Sequence, residues 1–215
     1  MSIKKIVTGL ALSLLLGSGS GAAVAADYYS AYSTYQSGDY KAAFKEMLPF
    51  AEQGNIDAQF WIAHMYSFGL GVPQNYKTAV KWYTLSAEQG DEYAQHSLGV
   101  AYDNGEGVPE NDKTAVKWFT LAADQGDILA QKQLGDMYLR AGKRRTAAKW
   151  ITKAAKQGDA SSQLNLGAMY YIGDGVLTDY TKAYMWLNLA AYNGNEFGNK
   201  SKQEVAAQSG SSIRY

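Results

Sequence analysis

Apolar residues recur along the chain at three- and four-residue steps, in runs that come in pairs. Ala94, Leu98, Ala101 and Tyr102 form one run, and Ala115, Trp118, Phe119 and Ala122 the next. Both have the spacing of an amphipathic helix. Between them lies Gly105-Glu106-Gly107, which predicts a chain reversal through positive φ. The pattern reads helix, turn, helix, and Gly69, Gly71, Gly173 and Gly175 hold the same places in other pairs. Gly54, Gly90, Gly126, Gly158 and Gly194 follow each second run as C-terminal caps, with Asn or Asp next to start the following helix. Gly99, Gly135 and Gly167 fall inside the first run, each at a cost of about 1 kcal/mol against Ala. A cost repeated in register implies the close approach of a neighbouring helix.

The pairs repeat in sequence as well as in pattern. Ala51-Glu-Gln-Gly54, Ala87-Glu-Gln-Gly90, Ala123-Asp-Gln-Gly126, Ala155-Lys-Gln-Gly158 and Ala191-Tyr-Asn-Gly194 are spaced by 36, 36, 32 and 36 residues. Each of the first four is followed by Gln59, Gln95, Gln131 or Gln163, then Tyr66, Tyr102, Tyr138 or Tyr170, then Trp82, Trp118, Trp150 or Trp186. The Tyr-to-Trp distance is 16, 16, 12 and 16, so the third unit has lost four residues from its loop. The Trp column is expected to supply the large buried side chain of each pair. No unit could bury its apolar stripe alone, so the units are expected to stack as a solenoid.

Ala87-Glu-Gln-Gly90, Ala94-Gln95, Leu98-Gly99, Tyr102, Gly105-Glu-Gly107-Val108, Asp112, Ala115, Trp118 and Ala122 resemble the Sel-one-like repeat family, relatives of the tetratricopeptide repeats. The resemblance covers residues 51–194. Ile62-Ala63 departs from Leu-Gly in the first unit, Leu177 from the loop Pro in the fourth, and Glu46 from Trp in a preceding half-unit. It implies an all-α fold: a right-handed α-solenoid of stacked antiparallel helix pairs. Four repeats are then expected at 51–86, 87–122, 123–154 and 155–190. A capping half-repeat at 26–50 precedes them, with helices at 27–36 and 40–53. A polar capping helix and a flexible tail follow at 195–215. The resemblance also implies a non-catalytic adaptor or regulator that holds a protein or peptide partner on its concave face.

The N-terminus changes the picture of where such a protein works. Lys4 and Lys5, an apolar run from Ile6 to Leu16, and the small-residue exit Ala23-Val24-Ala25 read as a signal peptide over residues 1–25. Its eleven-residue apolar run is too short to span a bilayer. With no cysteine for a lipid anchor, the expected location is the periplasm, or secretion beyond it, with no membrane insertion of the mature chain. The charge is balanced at 20 basic and 20 acidic residues, which argues against a general nucleic-acid binder. Missing cysteine also excludes disulfides, thiolate metal sites and thiol catalysis. Only His64 and His96 could offer imidazole. No metal site and no cofactor are expected.

Candidate chemistry follows from comparing units with one another. Ala58, Ile62, Met65 and Tyr66 share one side of the first helix of unit one, at 100° per residue. Asp57, Phe60, Trp61, His64, Ser67 and Phe68 fall on the other, where the equivalent positions vary freely between units. Phe60, Trp61, His64 and Phe68 are the candidate partner-binding patch, since exposed apolar patches mark interaction sites. The competing arrangement packs them on Tyr28, Tyr29, Tyr32 and Tyr35. A cell-wall hydrolase of β-lactamase type, or a peptidoglycan or glycan binder, is the alternative function. Against the hydrolase, Ser-x-x-Lys occurs only at Ser2-Ile-Lys-Lys5, within the leader, and no nucleophile elbow is present. His96 is expected on an exposed helix face, and Lys143-Arg144-Arg145 as a solvated helix start.

Overall fold

The computed structural model describes residues 21–208, which form eleven α-helices and no strand. The first pair is α1 (Gly21–Gln36) and α2 (Tyr40–Glu52). Four full pairs follow: α3 (Ile56–Phe68) with α4 (Tyr76–Glu88), α5 (Glu92–Asn104) with α6 (Asp112–Gln125), α7 (Ile128–Arg140) with α8 (Arg144–Lys156), and α9 (Ala160–Ile172) with α10 (Tyr180–Tyr192). α11 (Glu196–Gln208) ends the array. Each helix packs chiefly on the helices before and after it, the contact pattern of an α-solenoid. The motif Ala23-Val24-Ala25 lies in the first turn of α1. The charged and apolar parts of the expected leader, and the expected tail at 209–215, lie outside the described residues.

Helix starts follow from the capping residues in the repeat. Asn55, Asp91, Asp127 and Asp159 cap the first helices, their side chains accepting from the backbone N–H of Ala58, Ala94, Ala130 and Ser162. Asn75, Asn111 and Asp179 do the same for α4, α6 and α10. In the shortened third unit Lys143 precedes α8 and offers no side-chain cap. The loss of four loop residues removed the cap with the loop.

The fully buried large side chain of each pair stands one residue after the Trp column. Tyr83, Phe119, Ile151 and Leu187 are at most 5% exposed, whereas Trp82, Trp150 and Trp186 are half-buried and only Trp118 is buried. The expectation that Trp fills the pair is corrected accordingly. The reason is the helical glycine opposite. A Cβ built on Gly99 would lie 2.5 Å from Phe119 Cδ1, on Gly135 2.6 Å from Ile151 Cγ1, and on Gly167 2.7 Å from Leu187 Cγ. The close approach is therefore with the second helix of the same pair, and Ala63 takes the glycine's place beside Tyr83.

Successive units are joined by a buried polar ladder. The side-chain amides of Gln59, Gln95, Gln131 and Gln163 donate to the carbonyls of Ala51, Ala87, Ala123 and Ala155, at the end of the preceding pair, over 3.0–3.1 Å. Their carbonyl oxygens accept from Gln89, Gln125, Gln157 and Asn193 at the end of their own pair, over 2.8–2.9 Å. Each rung thus satisfies a buried amide and ties two units together. The Gly-x-Gly loops add a second tie. Gly71, Gly107 and Gly175 sit so close to the backbone of Tyr40, Tyr76 and Arg144 that a Cβ would fall 2.4–2.5 Å from it. α11 closes the array with polar residues: Lys202 and Gln203 stand where α9 carries Leu166 and Gly167.

Candidate functional site

The four candidate residues lie together on α3, but they face two ways. Trp61 turns toward the N-terminal pair, with ring centroids 5.3 Å from Tyr32 and 4.7 Å from Tyr35. His64 Nδ1 is 3.2 Å from the Tyr35 hydroxyl. Phe60 meets Trp61 at 5.1 Å, Tyr83 at 5.8 Å and Tyr93 at 5.9 Å, bridging the first two full units. Phe68 stacks on His64 at 4.5 Å and remains 61% exposed. The aromatic patch and its packing on Tyr32 and Tyr35 thus coexist. Trp61 anchors the cap, and His64 and Phe68 face outward.

His64 and Phe68 form one wall of a groove of about 300 Å³ between α3 and α5. Ala79, Val80 and Tyr83 of α4 make its floor, His96, Ser97 and Val100 of α5 its other wall, and Glu106 its rim. The Tyr83 hydroxyl lies beside Ser67 and Ser97, and burial, outweighing these hydrogen bonds, pushes it up to about 12. An apolar trough with a neutral hydroxyl cluster at its centre results. It suits an apolar side chain flanked by backbone amides more than a charged group.

His96 corrects the expectation of an exposed histidine. Its Nε2 is buried and has no hydrogen-bond partner, and its ring packs 5.6 Å from Phe119. Burial lowers the His96 and His64 pKa values below the ordinary imidazole value, so both rings are neutral at pH 7. At the N-terminal ends of the same helices, burial raises Asp57 above the usual carboxylate range and Asp91 to about 6, despite the Ala94 N–H that Asp91 accepts. Among the described residues no hydrogen bond joins a serine hydroxyl to a histidine, and no three His, Cys, Asp or Glu side chains converge as a metal site. Lys143-Arg144-Arg145 is exposed, and Arg144 pairs with Asp174 at 3.4 Å.

The α4 floor and the α5 wall were not among the sequence candidates. Tyr83 follows the Trp column by one residue, and Ser97 and Val100 are unit-two counterparts of Trp61 and His64. The signal was present as variation between units, but only in combination across two of them.

Helix pairs tied through repeated glutamines define an α-solenoid repeat protein. The chain belongs to the Sel1 repeat family, whose model matches four consecutive units at residues 56–91, 92–127, 128–159 and 160–195. These units open at the first helix of each pair, and the third is the short one. Proteins built of Sel1 repeats in general serve protein–protein interaction as non-catalytic scaffolds. The fold is similar to the crystal structure of a protective antigen of uropathogenic Escherichia coli displaying an SLR fold. The identity is 33% and the TM-score 0.83, over 88% of this chain and 42% of that one. It is also similar to a Sel1 repeat protein from Oxalobacter formigenes, at 36% identity and a TM-score of 0.70, over 78% of this chain and 49% of that one. The chain spans less than half the length of either structure. No curated protein matches it. Among the described residues no helix is long and apolar enough to cross a membrane.

Proposed function

We propose that the chain is a non-catalytic adaptor of the bacterial envelope, exported by its N-terminal segment, that holds a peptide segment of a protein partner in the α3–α5 groove. The observation that carries this reading is the groove itself. It pairs a 61% exposed Phe68 with a buried hydroxyl cluster, at positions that the repeat leaves free to vary. Apolar anchoring by Phe68 and Val100, with the Ser67 and Tyr83 hydroxyls and the Ser97 oxygen as an acceptor, suits an extended segment that brings one apolar side chain and its amides. Both histidines are neutral at pH 7, so the groove offers no cation to a glycan carboxylate or a β-lactam acid. That favours the adaptor over the hydrolase or cell-wall-binding alternative.

The test is a photoreactive residue at position 68 or 97 in the exported chain, with exposed position 177 in the α9–α10 loop as control. Discrete adducts from 68 and 97 only, weakened by Val100→Asp, support the groove. Equal labelling from all three positions would overturn it. Turnover of β-lactams or muropeptides by the purified chain would overturn the non-catalytic reading.

A further inference from the structure

The solvent side of the second helices carries a second, unrelated pattern. α2 bears Lys41 and Lys45, and α4 bears Lys77 and Lys81, in register 36 residues on. The same register places Lys113 and Lys117 on α6. With the shortened period, Arg145 and Lys149 follow on α8. All eight side chains are exposed, and none makes an ion pair among the described residues. Each pair is one helical turn apart on a single stripe. At 100° per residue the Lys77–Lys81 stripe lies on the far side of α4 from the groove floor at Ala79, Val80 and Tyr83.

The chain as a whole has zero formal charge, so eight cations outside any ion pair on one surface are a segregation and not a general excess, with Glu46 and Asp112 flanking them on α2 and α6. The next position along the stripe is apolar on α2, α4 and α6, as Pro49, Leu85 and Leu121, and is Lys153 on α8. Leu85 and Leu121 are 45% and 42% exposed, and the same surface continues on α10 through Met185 at 44% and Leu189 at 37%. Acidic Glu52, Glu88 and Asp124 bound the stripe at the C-terminal ends of α2, α4 and α6, and Asp124 is engaged by Lys153 at 3.3 Å.

We infer that this surface docks on an anionic lipid membrane. Charge complementarity calls for an extended anionic face, since the cations form a two-column array across four helices and not a pocket. Their chemistry narrows it. Seven of the eight are Lys, point charges suited to diffuse attraction, where recognition of individual phosphates would use the bidentate fork of Arg. Leu85 and Leu121, one turn beyond the lysine pairs, have no partner on a nucleic-acid backbone or an acidic protein rim. They can enter the acyl boundary of a bilayer, as the apolar residues of interfacial helices do. The inference uses a different face from the groove and stands whether or not the groove holds a partner.

The test is co-sedimentation of the full chain with vesicles of equimolar phosphatidylglycerol and phosphatidylcholine, against pure phosphatidylcholine. The comparison variant is K77Q/K81Q/K113Q/K117Q. The leader is common to both proteins, so their difference isolates the stripe. Retention on anionic vesicles that falls at least about tenfold in the variant, weakens with salt and drops again in L85S/L121S supports the inference. All these positions are exposed, so an unchanged melting temperature is expected. Equal retention of variant and parent, equal binding to pure phosphatidylcholine, or binding to duplex DNA or polyglutamate without binding to vesicles would each overturn it.

Discussion

The ring of Phe119 occupies the space that a side chain on Gly99 would need, with Cδ1 2.5 Å from where a Cβ would lie. Phe119 is fully buried, so the ring has nowhere to retreat. Gly99→Ala should gain about 1 kcal/mol of helix propensity and lose more to overpacking, which typically costs about 1–3 kcal/mol. The expected net is a loss of about 1 kcal/mol, a fall of roughly 2–4 °C in melting temperature for a chain of this size. A melt at or above the parent's would show that the α5–α6 contact is not tight.

The glutamine ladder gives a second expectation. Gln95 donates to the Ala87 carbonyl at 3.1 Å and accepts from Gln125 at 2.8 Å. Gln95→Ala removes both hydrogen bonds, each worth about 0.5–1.5 kcal/mol, and leaves the Ala87 carbonyl with the Gly90 N–H and the Gln125 amide with the Gly90 carbonyl. The loss should appear in chemical denaturation and as faster amide exchange at the α4–α5 junction. An equal effect from Gln133→Ala, a half-buried glutamine outside the ladder, would refute the ladder's role.

Asp91 should make the protein more stable in mild acid. Its folded pKa, raised to about 6 by burial, exceeds the unfolded value of 3.8. The folded state therefore binds the proton first, and this contribution grows as pH falls from about 6 towards 4. Asp91→Asn keeps a cap, as Asn55 does on α3, and removes the buried charge. It should stabilise by about 1–2 kcal/mol at pH 7 and by almost nothing at pH 4. A gain independent of pH would refute the assignment.

His96 acts with the opposite sign. Burial lowers its folded pKa below 6.5, so the unfolded state takes the proton first and stability is lost as pH falls below 6.5. Asp127, whose charge favours the imidazolium, moderates the effect without reversing it. His96→Leu removes a buried nitrogen that has no partner and should raise the melting temperature, more at pH 5.5 than at pH 7.5. A lower melting temperature at both would mean that the ring makes a contact its geometry does not show.

The repeated elements were legible because each position is read four times. Helix pairs, Gly caps and the short third unit follow from spacing alone, and the helical glycines foretold a close approach. What the spacing could not supply was direction. The Trp column and the residue after it differ by 100° on the helix, and only packing against Gly99, Gly135 and Gly167 decides that the latter goes inside. At the candidate site Phe60, Trp61, His64 and Phe68 were found as a group. Whether Trp61 faced solvent depended on Tyr32 and Tyr35, 26 or more residues earlier in the chain. His96 went unrecognised because its burial is supplied by Phe119 of the following helix.

The short loop of the third unit has a mechanical consequence. Loops after α3, α5 and α9 clamp the backbone at the starts of α2, α4 and α8. The turn after α7 carries Gly142, where a Cβ would meet nothing within 4 Å, so the start of α6 has no clamp. Beside the Gln131 rung and the apolar core, that seam is spanned by Arg140–Asp103 at 3.1 Å and Lys153–Asp124 at 3.3 Å, pairs with solvent-exposed members. Steric clamps are indifferent to ionic strength, and exposed ion pairs are screened by it. The spring constant of the superhelix is accordingly uneven. It has one joint, midway along its length, where part of the stiffness answers to the salt around it.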